Sequence, residues 1–261
     1  MTLALVADVT GAGPVVLALH GQPGSAADWA RLIPLLRDRC TVITPDRLGY
    51  GRTGGRAGGF RANAASIIEL LDRLEIARAV VVGHSWGGGA ALATAQMAPE
   101  RVAGLVLVAS VSPGESVSFV DRILAVPAVG TVFARLAIGA AGRVLTYPSV
   151  RAMVEDRVGE PAAESVAQAW RQGGLPRSFA IEQRALVDEL SELVLEDISA
   201  PAAVIIGTAD RIVSPAAGER LATALSGAEV IRVQGAGHLL PFDHPDVVAR
   251  AVDLVLARAR G

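Results

Sequence analysis

Lysine is absent from this chain of 261 residues, and cysteine occurs once. All 24 basic residues are arginine, which excludes both a Schiff-base lysine and a Walker-type phosphate-binding loop. Cys40 has no second cysteine with which to form an internal disulfide bond, and its place beside a strand-like run predicts a core thiol.

Aromatic residues, strong charge and long apolar runs are also scarce. Aromatics make up 4% of the chain, the net charge is −2, and no basic stripe favours nucleic acid or an anionic membrane as a partner. No run approaches the roughly 18 apolar residues of a membrane-spanning helix. The first residues carry neither a basic segment nor a long apolar core, so no signal peptide is predicted. We expect a soluble, cytoplasmic protein.

Strand-like and helical segments alternate along most of the chain, which predicts an α/β fold with a mainly parallel central sheet flanked by helices. The predicted strands are 3–7, 15–19, 41–44, 79–83, 104–109, 202–207 and 229–233. The predicted helices lie near 25–37, 61–75, 88–98, 215–226 and 245–259.

The alternation stops between residues 112 and 198, where only helical patterns occur. These lie near 115–126, 128–140, 148–158, 161–172 and 176–195, and prolines precede several of them. We predict a core domain of residues 1–111 and 199–261 and an inserted helical cap of residues 112–198. The cap aromatics either pack on the core or line an apolar pocket; they are Phe119, Phe133, Tyr147, Trp170 and Phe179.

The segment Gly83-His84-Ser85-Trp86-Gly87-Gly88 carries the clearest chemical signal. It follows a buried β-branched run and precedes an alanine-rich helical segment, which is the setting of a nucleophile elbow. A serine on such a sharp strand-to-helix turn needs small neighbours, and the turn lifts its hydroxyl clear of the backbone. Ser85 is therefore the candidate nucleophile.

A serine hydroxyl needs a base and a group that orients the base. His238 follows a strand within a loop of small residues, whereas His244 lies next to a helix start at Pro245, so His238 is preferred as the base. Asp210 also follows a strand and completes the chain order Ser, Asp, His. Asp46 precedes the serine and is interpreted as structural, paired with Arg47.

An oxyanion hole needs two donors, which we assign to the backbone N–H groups of Gln22 and Trp86. Gln22 follows the strand 15–19 within a glycine-rich loop, and Trp86 follows the serine. His20 is expected to brace that loop, and His84 to form a hydrogen bond beneath the elbow.

Five segments in this order resemble the α/β-hydrolase-fold superfamily, and in particular its capped esterase, lipase and haloperoxidase-like members. They are His20-Gly21-x-Pro23-Gly24, Asp46-Arg47-x-Gly49-x-Gly51, the elbow, Gly207-x-x-Asp210 and Gly237-His238. The resemblance covers nearly the whole chain. It implies a serine hydrolase with a Ser85-His238-Asp210 triad, acting on a small molecule with an apolar acyl or alkyl part.

A carboxylic ester or lactone is the expected substrate class, and three alternatives stay open. Carbon–carbon bond hydrolases share the fold and triad, but they often have tryptophan where Leu239 stands. Proline iminopeptidases resemble the chain around Ser85, but they usually have glycine in place of Gln22. A non-hydrolytic receptor or a cyclase can also use this fold. Serine at the elbow argues against haloalkane dehalogenases and epoxide hydrolases, which have aspartate there.

No cofactor or metal is predicted. Residues 49–54 match the dinucleotide fingerprint Gly-x-Gly-x-x-Gly, but further glycines follow in place of the helix that this fingerprint requires. The histidines and aspartates named above lack the close spacing of zinc ligands.

Overall fold

The computed structural model describes residues 4–114 and 175–260, together with positions 122, 125, 126, 130 and 132. Seven strands form one sheet in the order β1-β3-β2-β4-β5-β6-β7, in which β1 is antiparallel to β3 and every other pair is parallel. The strands are β1 (Ala7–Thr10), β2 (Val15–Leu19), β3 (Thr41–Pro45), β4 (Ala79–His84), β5 (Val102–Val108), β6 (Ala202–Gly207) and β7 (Glu229–Val233).

Helices cover both faces of this sheet. The α-helices of the described ranges are α1 (Ile33–Leu36), α2 (Phe60–Arg73), α3 (Trp86–Met97), α4 (Leu175–Asp188), α5 (Pro215–Ala224), α6 (Leu240–Asp243) and α7 (Pro245–Arg258). Short 3₁₀ helices occur at Ala26–Trp29, Pro99–Arg101, Leu190–Glu192 and Leu195–Asp197. Within these ranges, no helix combines the length and apolar character needed to cross a membrane.

Alternate residues of the central strands pack into two separate cores, because successive side chains of a strand point to opposite faces. Leu17 and Val81 join the core beneath α2, α3 and α5. Val16 and Val82 join the core beneath α1 and α7. The uninterrupted apolar runs of β2 and β4 are explained by burial on both faces, and the predicted α/β fold is confirmed.

The first strand and the first helix differ from prediction. The first strand lies at Ala7–Thr10 and not at 3–7. It pairs with β3 so that Ala7 lies opposite Pro45 and Thr10 lies opposite Val42. The helix expected near 25–37 is divided into the 3₁₀ helix Ala26–Trp29 and α1. Pro34 stands in the first turn of α1, where its missing N–H suits a helix start and not a helix interior.

Strands β5 and β6 pair directly although residues 109–201 separate them in sequence. The intervening segment is therefore an insertion between neighbouring strands. The helix predicted near 176–195 appears as α4, which ends at Asp188 and is followed by two 3₁₀ turns. The four other predicted cap helices lie outside the described residues except at isolated positions, as do Phe119, Phe133, Tyr147 and Trp170. The division into core and cap stays a prediction.

Candidate active site

Ser85 occupies a strained turn between β4 and α3. Its φ of 52° and ψ of −120° lie where non-glycine residues rarely occur. Backbone hydrogen bonds hold the turn on both sides, because Ser85 donates to the carbonyl of Val108 at 2.9 Å and accepts from Val111 at 3.2 Å. The neighbouring strand β5 thus fixes the elbow in a conformation that the serine would not adopt by itself.

Glycine is required two residues before and two residues after this serine. A Cβ atom on Gly83 would lie 2.5 Å from the carbonyl oxygen of Gly87. A Cβ atom on Gly87 would lie 2.5 Å from the carbonyl oxygens of both Leu19 and His20. Without a side chain at Gly83 the helix α3 can start close to β4, and without one at Gly87 it can pack against the end of β2.

His238 and Asp210 meet at the same edge of the sheet, in the loops that follow β7 and β6. The imidazole Nδ1 lies 2.8 Å from Oδ2 of Asp210, and both side chains are buried. The other carboxylate oxygen, Oδ1, accepts the backbone N–H groups of Ile212 at 2.8 Å and Val213 at 3.0 Å. The carboxylate is therefore held in place, and it can keep the proton of the neutral imidazole on Nδ1.

His84 joins the His238 loop to the elbow. Its Nε2 lies 2.9 Å from the backbone carbonyl of His238, to which it donates, and the two rings lie 5.0 Å apart between centroids. Burial, and then the nearby His238, lower the pKa of His84 to about 3. The ring is consequently neutral and serves as a hydrogen-bond donor beneath the turn.

The loop that follows β2 runs beside the serine. A Cβ atom on Gly21 would lie 3.3 Å from Cβ of Ser85, which places the Gly21-Gln22 segment against the elbow. Among the described residues, the backbone N–H groups of Gln22 and Trp86 donate no hydrogen bond. Both N–H groups predicted to receive an oxyanion are thus unused by the protein near Ser85.

His20 braces this loop. Its Nδ1 donates to the carbonyl of Gly21 at 2.9 Å, and its Nε2 accepts the backbone N–H of Arg47 at 3.0 Å. Burial, and then the charge of Arg47, hold the pKa of His20 well below its usual value. With both ring nitrogens engaged, His20 is a neutral structural residue.

The interpretation that pairs Asp46 with Arg47 is wrong. Asp46 instead accepts the backbone N–H of Ala26 at 2.8 Å and both the backbone N–H and Nε of Arg52, at 2.9 and 3.2 Å. Arg47 forms a fully buried ion pair with Glu182 of α4. Consecutive side chains at the end of β3 diverge, so the two charged groups have different partners.

The polar cluster around Arg47 was not predicted from the sequence. The guanidinium donates from Nε to the carbonyl of His20 at 2.8 Å and from Nη2 to the carbonyl of Gly21 at 2.7 Å. The hydroxyl of Tyr50 donates to the other carboxylate oxygen of Glu182 at 2.5 Å. Burial raises the pKa of Glu182, while the ion pair with Arg47 opposes that rise. The only local signal in the sequence was an arginine two residues after the end of a buried strand.

Trp86 links this cluster to the elbow. Its indole Nε1 donates to the backbone carbonyl of Glu182 at 3.3 Å, and the guanidinium of Arg47 lies 4.4 Å from its ring centroid. Phe60 stacks on the indole at 4.2 Å between centroids. The side chain next to the serine thus contacts the same ion pair that holds the Gly21 loop.

No candidate metal-binding site is found in the described part of the chain. There, no group of three or more histidine, cysteine, aspartate or glutamate side chains is arranged to hold a metal ion.

Residues 15–251 match the sequence profile of the alpha/beta hydrolase family. The chain belongs to this family. It is 31% identical over 262 residues to a 2-hydroxymuconate semialdehyde hydrolase of a Pseudomonas species, covering 96% of this chain and 89% of the relative. It is 27% identical over 260 residues to a haloalkane dehalogenase of Mesorhizobium japonicum, covering 92% and 83% respectively.

The structure is similar to that of a thermophilic esterase from Thermogutta terrifontis. The TM-score is 0.79 at 24% identity, with 98% of this chain and 94% of the other covered, a likeness that concerns the fold. Together with the family match, the named relatives identify this member of the alpha/beta hydrolase family as an enzyme of the hydrolase class.

Replacing Glu182 by glutamine tests the buried ion pair. Glu182→Gln leaves the guanidinium of Arg47 buried without a counter-charge, so we expect the free energy of unfolding to fall by about 3–5 kcal/mol. Urea denaturation followed by circular dichroism measures the change. Glu192→Gln is the matched control, because Glu192 pairs with Arg61 at the surface and its loss should cost at most about 1 kcal/mol. Equal losses in both variants would contradict the assigned role.

Asp28 should make the stability of this hydrolase depend on pH. Burial raises the pKa of Asp28 from 3.8 to about 7. Between these values the folded chain keeps a proton that the unfolded chain has released, so stability falls as pH rises from about 4 to 7. At roughly 1.4 kcal/mol per pKa unit, the contribution is about 4 kcal/mol.

Unfolding free energies measured across this pH range should show that fall in the wild type and less of it in Asp28→Asn. Asp38, whose side chain is 90% exposed, provides the control variant Asp38→Asn. Parallel pH profiles for the wild type and Asp28→Asn would show that Asp28 does not titrate in this way.

Proposed function

We propose that this protein is a serine hydrolase that cleaves a small carboxylic ester or lactone. Ser85 attacks the carbonyl carbon, and His238 takes the hydroxyl proton. Asp210 orients the imidazole and stabilises its protonated form. The hydrogen bond between His238 Nδ1 and Asp210 Oδ2 carries the proposal, because it leaves Nε2 as the ring nitrogen that can accept a proton.

The oxyanion of the tetrahedral intermediate would be received by the backbone N–H groups of Gln22 and Trp86. The closeness of Gly21 to Ser85, the place of Trp86 directly after the serine, and the lack of other acceptors for both N–H groups in the described ranges support this role. His238 then protonates the leaving alcohol, and the acyl-enzyme forms. Water, activated by the same imidazole, releases the acid and restores Ser85.

A serine hydroxyl suits acyl transfer better than halide displacement. A carboxylate that displaces a halide forms an ester, which water can cleave at its carbonyl carbon. A serine would form an ether, which has no such route to release. Despite the dehalogenase among its relatives, this chain is therefore proposed to act on a carbonyl compound.

Carbon–carbon bond hydrolysis is the second candidate. The 31% identity to a 2-hydroxymuconate semialdehyde hydrolase supports it, and the same serine, imidazole and oxyanion donors can serve that reaction. Amide hydrolysis is a further variant of the same acyl-transfer chemistry. A receptor or cyclase would bind a small molecule in the same place without hydrolytic turnover.

The residues of 112–198 are proposed to cap the site and to contribute an apolar pocket for the acyl or alkyl part of the substrate. Phe179 of α4 supports this assignment, because its backbone carbonyl accepts a hydrogen bond from the side chain of Gln22. Gln22 directly follows Gly21, the residue that lies against the elbow.

A fluorophosphonate probe tests the proposed nucleophile. The wild type should gain the mass of one adduct, and Ser85→Ala should gain none, because the probe reacts with a serine that a base activates. Intact-protein mass spectrometry measures both. Ser112→Ala is a control, since it removes another buried serine that follows the end of β5 and should leave labelling unchanged. A folded wild type without an adduct, and without turnover of a short activated ester, would favour the receptor.

Asp210→Asn tests the orienting carboxylate. The amide can stabilise the wrong imidazole tautomer and cannot balance the protonated ring, so kcat for an activated ester should fall by about 10³- to 10⁴-fold. Initial-rate kinetics over a range of ester concentrations measure this fall. Asp197→Asn, at an exposed position, should retain wild-type activity. A loss smaller than tenfold in Asp210→Asn would remove Asp210 from the mechanism.

A further inference from the structure

The side chain of Gln22 is held at both ends of its amide by one helix. Its Oε1 accepts from Nε2 of Gln183 at 3.1 Å, and its Nε2 donates to the backbone carbonyl of Phe179 at 3.2 Å. Phe179 and Gln183 lie one turn apart on α4. These two hydrogen bonds, here called the amide clamp, fix the orientation of the Gln22 side chain relative to α4.

The clamp adds a restraint to a loop that is otherwise held at the carbonyl of Gly21, which accepts hydrogen bonds from Nη2 of Arg47 and Nδ1 of His20. Gly21, directly before Gln22, carries no side chain and permits a wide range of backbone angles. The N–H of Gln22 must stay directed at the oxyanion, because an oxyanion donor acts only over a narrow range of distance and angle. A tether on the side chain of Gln22 restrains the backbone that carries this N–H.

Burying the polar side chain of Gln183 is energetically unfavourable. Only 4% of it is exposed, and its Oε1 has no hydrogen-bond partner within the described residues. A buried amide with one unsatisfied end destabilises the folded state relative to an apolar side chain of similar shape. Among the described residues, the hydrogen bond from Nε2 of Gln183 to Gln22 is therefore the contact that favours glutamine over an apolar side chain here.

We infer that Gln183 is a positioning residue that holds the Gln22 oxyanion donor in place through the amide clamp. The inference rests on the proposed function, since it assigns the oxyanion to the N–H of Gln22. Helix α4 contributes to catalysis without touching the reacting atoms, because it fixes the side chain of the residue that does.

Gln183→Met removes the hydrogen bond to Oε1 of Gln22, one of the two in the clamp, while preserving the length of the side chain. We expect kcat for an activated ester to fall by about ten- to a hundredfold with KM nearly unchanged, because an oxyanion donor stabilises the transition state and not the bound ester. The melting temperature should stay the same or rise, because the unsatisfied amide is gone. Steady-state kinetics and thermal denaturation measure the two effects.

Gln22→Met removes the same hydrogen bond from the other side and retains the backbone N–H. Because it also removes the hydrogen bond to Phe179, it should lower kcat at least as much as Gln183→Met, and the double variant Gln22→Met/Gln183→Met should lose no more than Gln22→Met. Gln96→Met is the matched control: its amide accepts the backbone N–H of Val194 at 2.9 Å on an exposed part of α3, and its loss should leave kcat unchanged.

The possible failures are distinct. If the fluorophosphonate labels Ser85 but Gln183→Met keeps wild-type kcat, the positioning role is wrong and the proposed function stands. Losses that multiply in the double variant, or a fall in melting temperature that parallels the fall in kcat, also overturn the role of the clamp. A wild type that neither reacts with the probe nor turns over the ester overturns the proposed function and this inference with it.

Discussion

The buried ion pair between Arg47 and Glu182 connects the parts of the molecule on which the site depends. Arg47 follows β3, Glu182 lies on α4, and the guanidinium also donates to the carbonyls that follow β2. An arginine without a counter-charge in this position would be strongly destabilising, so docking of α4 and closure of the β2 loop are coupled. Trp86 extends the coupling to the elbow through the backbone carbonyl of Glu182.

The catalytic groups proposed for this site are held in fixed positions, although the loops that carry them are rich in glycine. The loop after β2 and the elbow both contain residues that permit free backbone rotation, yet each is held by groups from another part of the chain. Strand β5 holds Ser85, Asp210 holds His238, and α4 holds the side chain of Gln22. The proposed acyl transfer requires such preorganisation, because donors that must reorient during the reaction contribute little to its rate.

The histidines illustrate how hydrogen-bond partners assign different roles to one residue type, since His20, His84 and His238 are all buried. His20 and His84 are kept neutral by desolvation and by neighbouring positive groups, and each is engaged in hydrogen bonds to the backbone. His238 instead has a carboxylate on Nδ1. The hydrogen-bonding roles expected for His20 and His84 are observed, whereas the role of His238 as the base stays a prediction.

The sequence by itself determined the strand order along the chain, the elbow around Ser85 and the loops that carry Asp210 and His238. These features follow from short-range rules: the two-residue period of buried strands and the steric need for Gly83 and Gly87. Only the tertiary structure decided that Arg47 pairs with Glu182, 135 residues away, and that α4 holds Gln22. Such partners are selected by packing between distant segments, and neither spacing nor local propensity encodes which two faces meet.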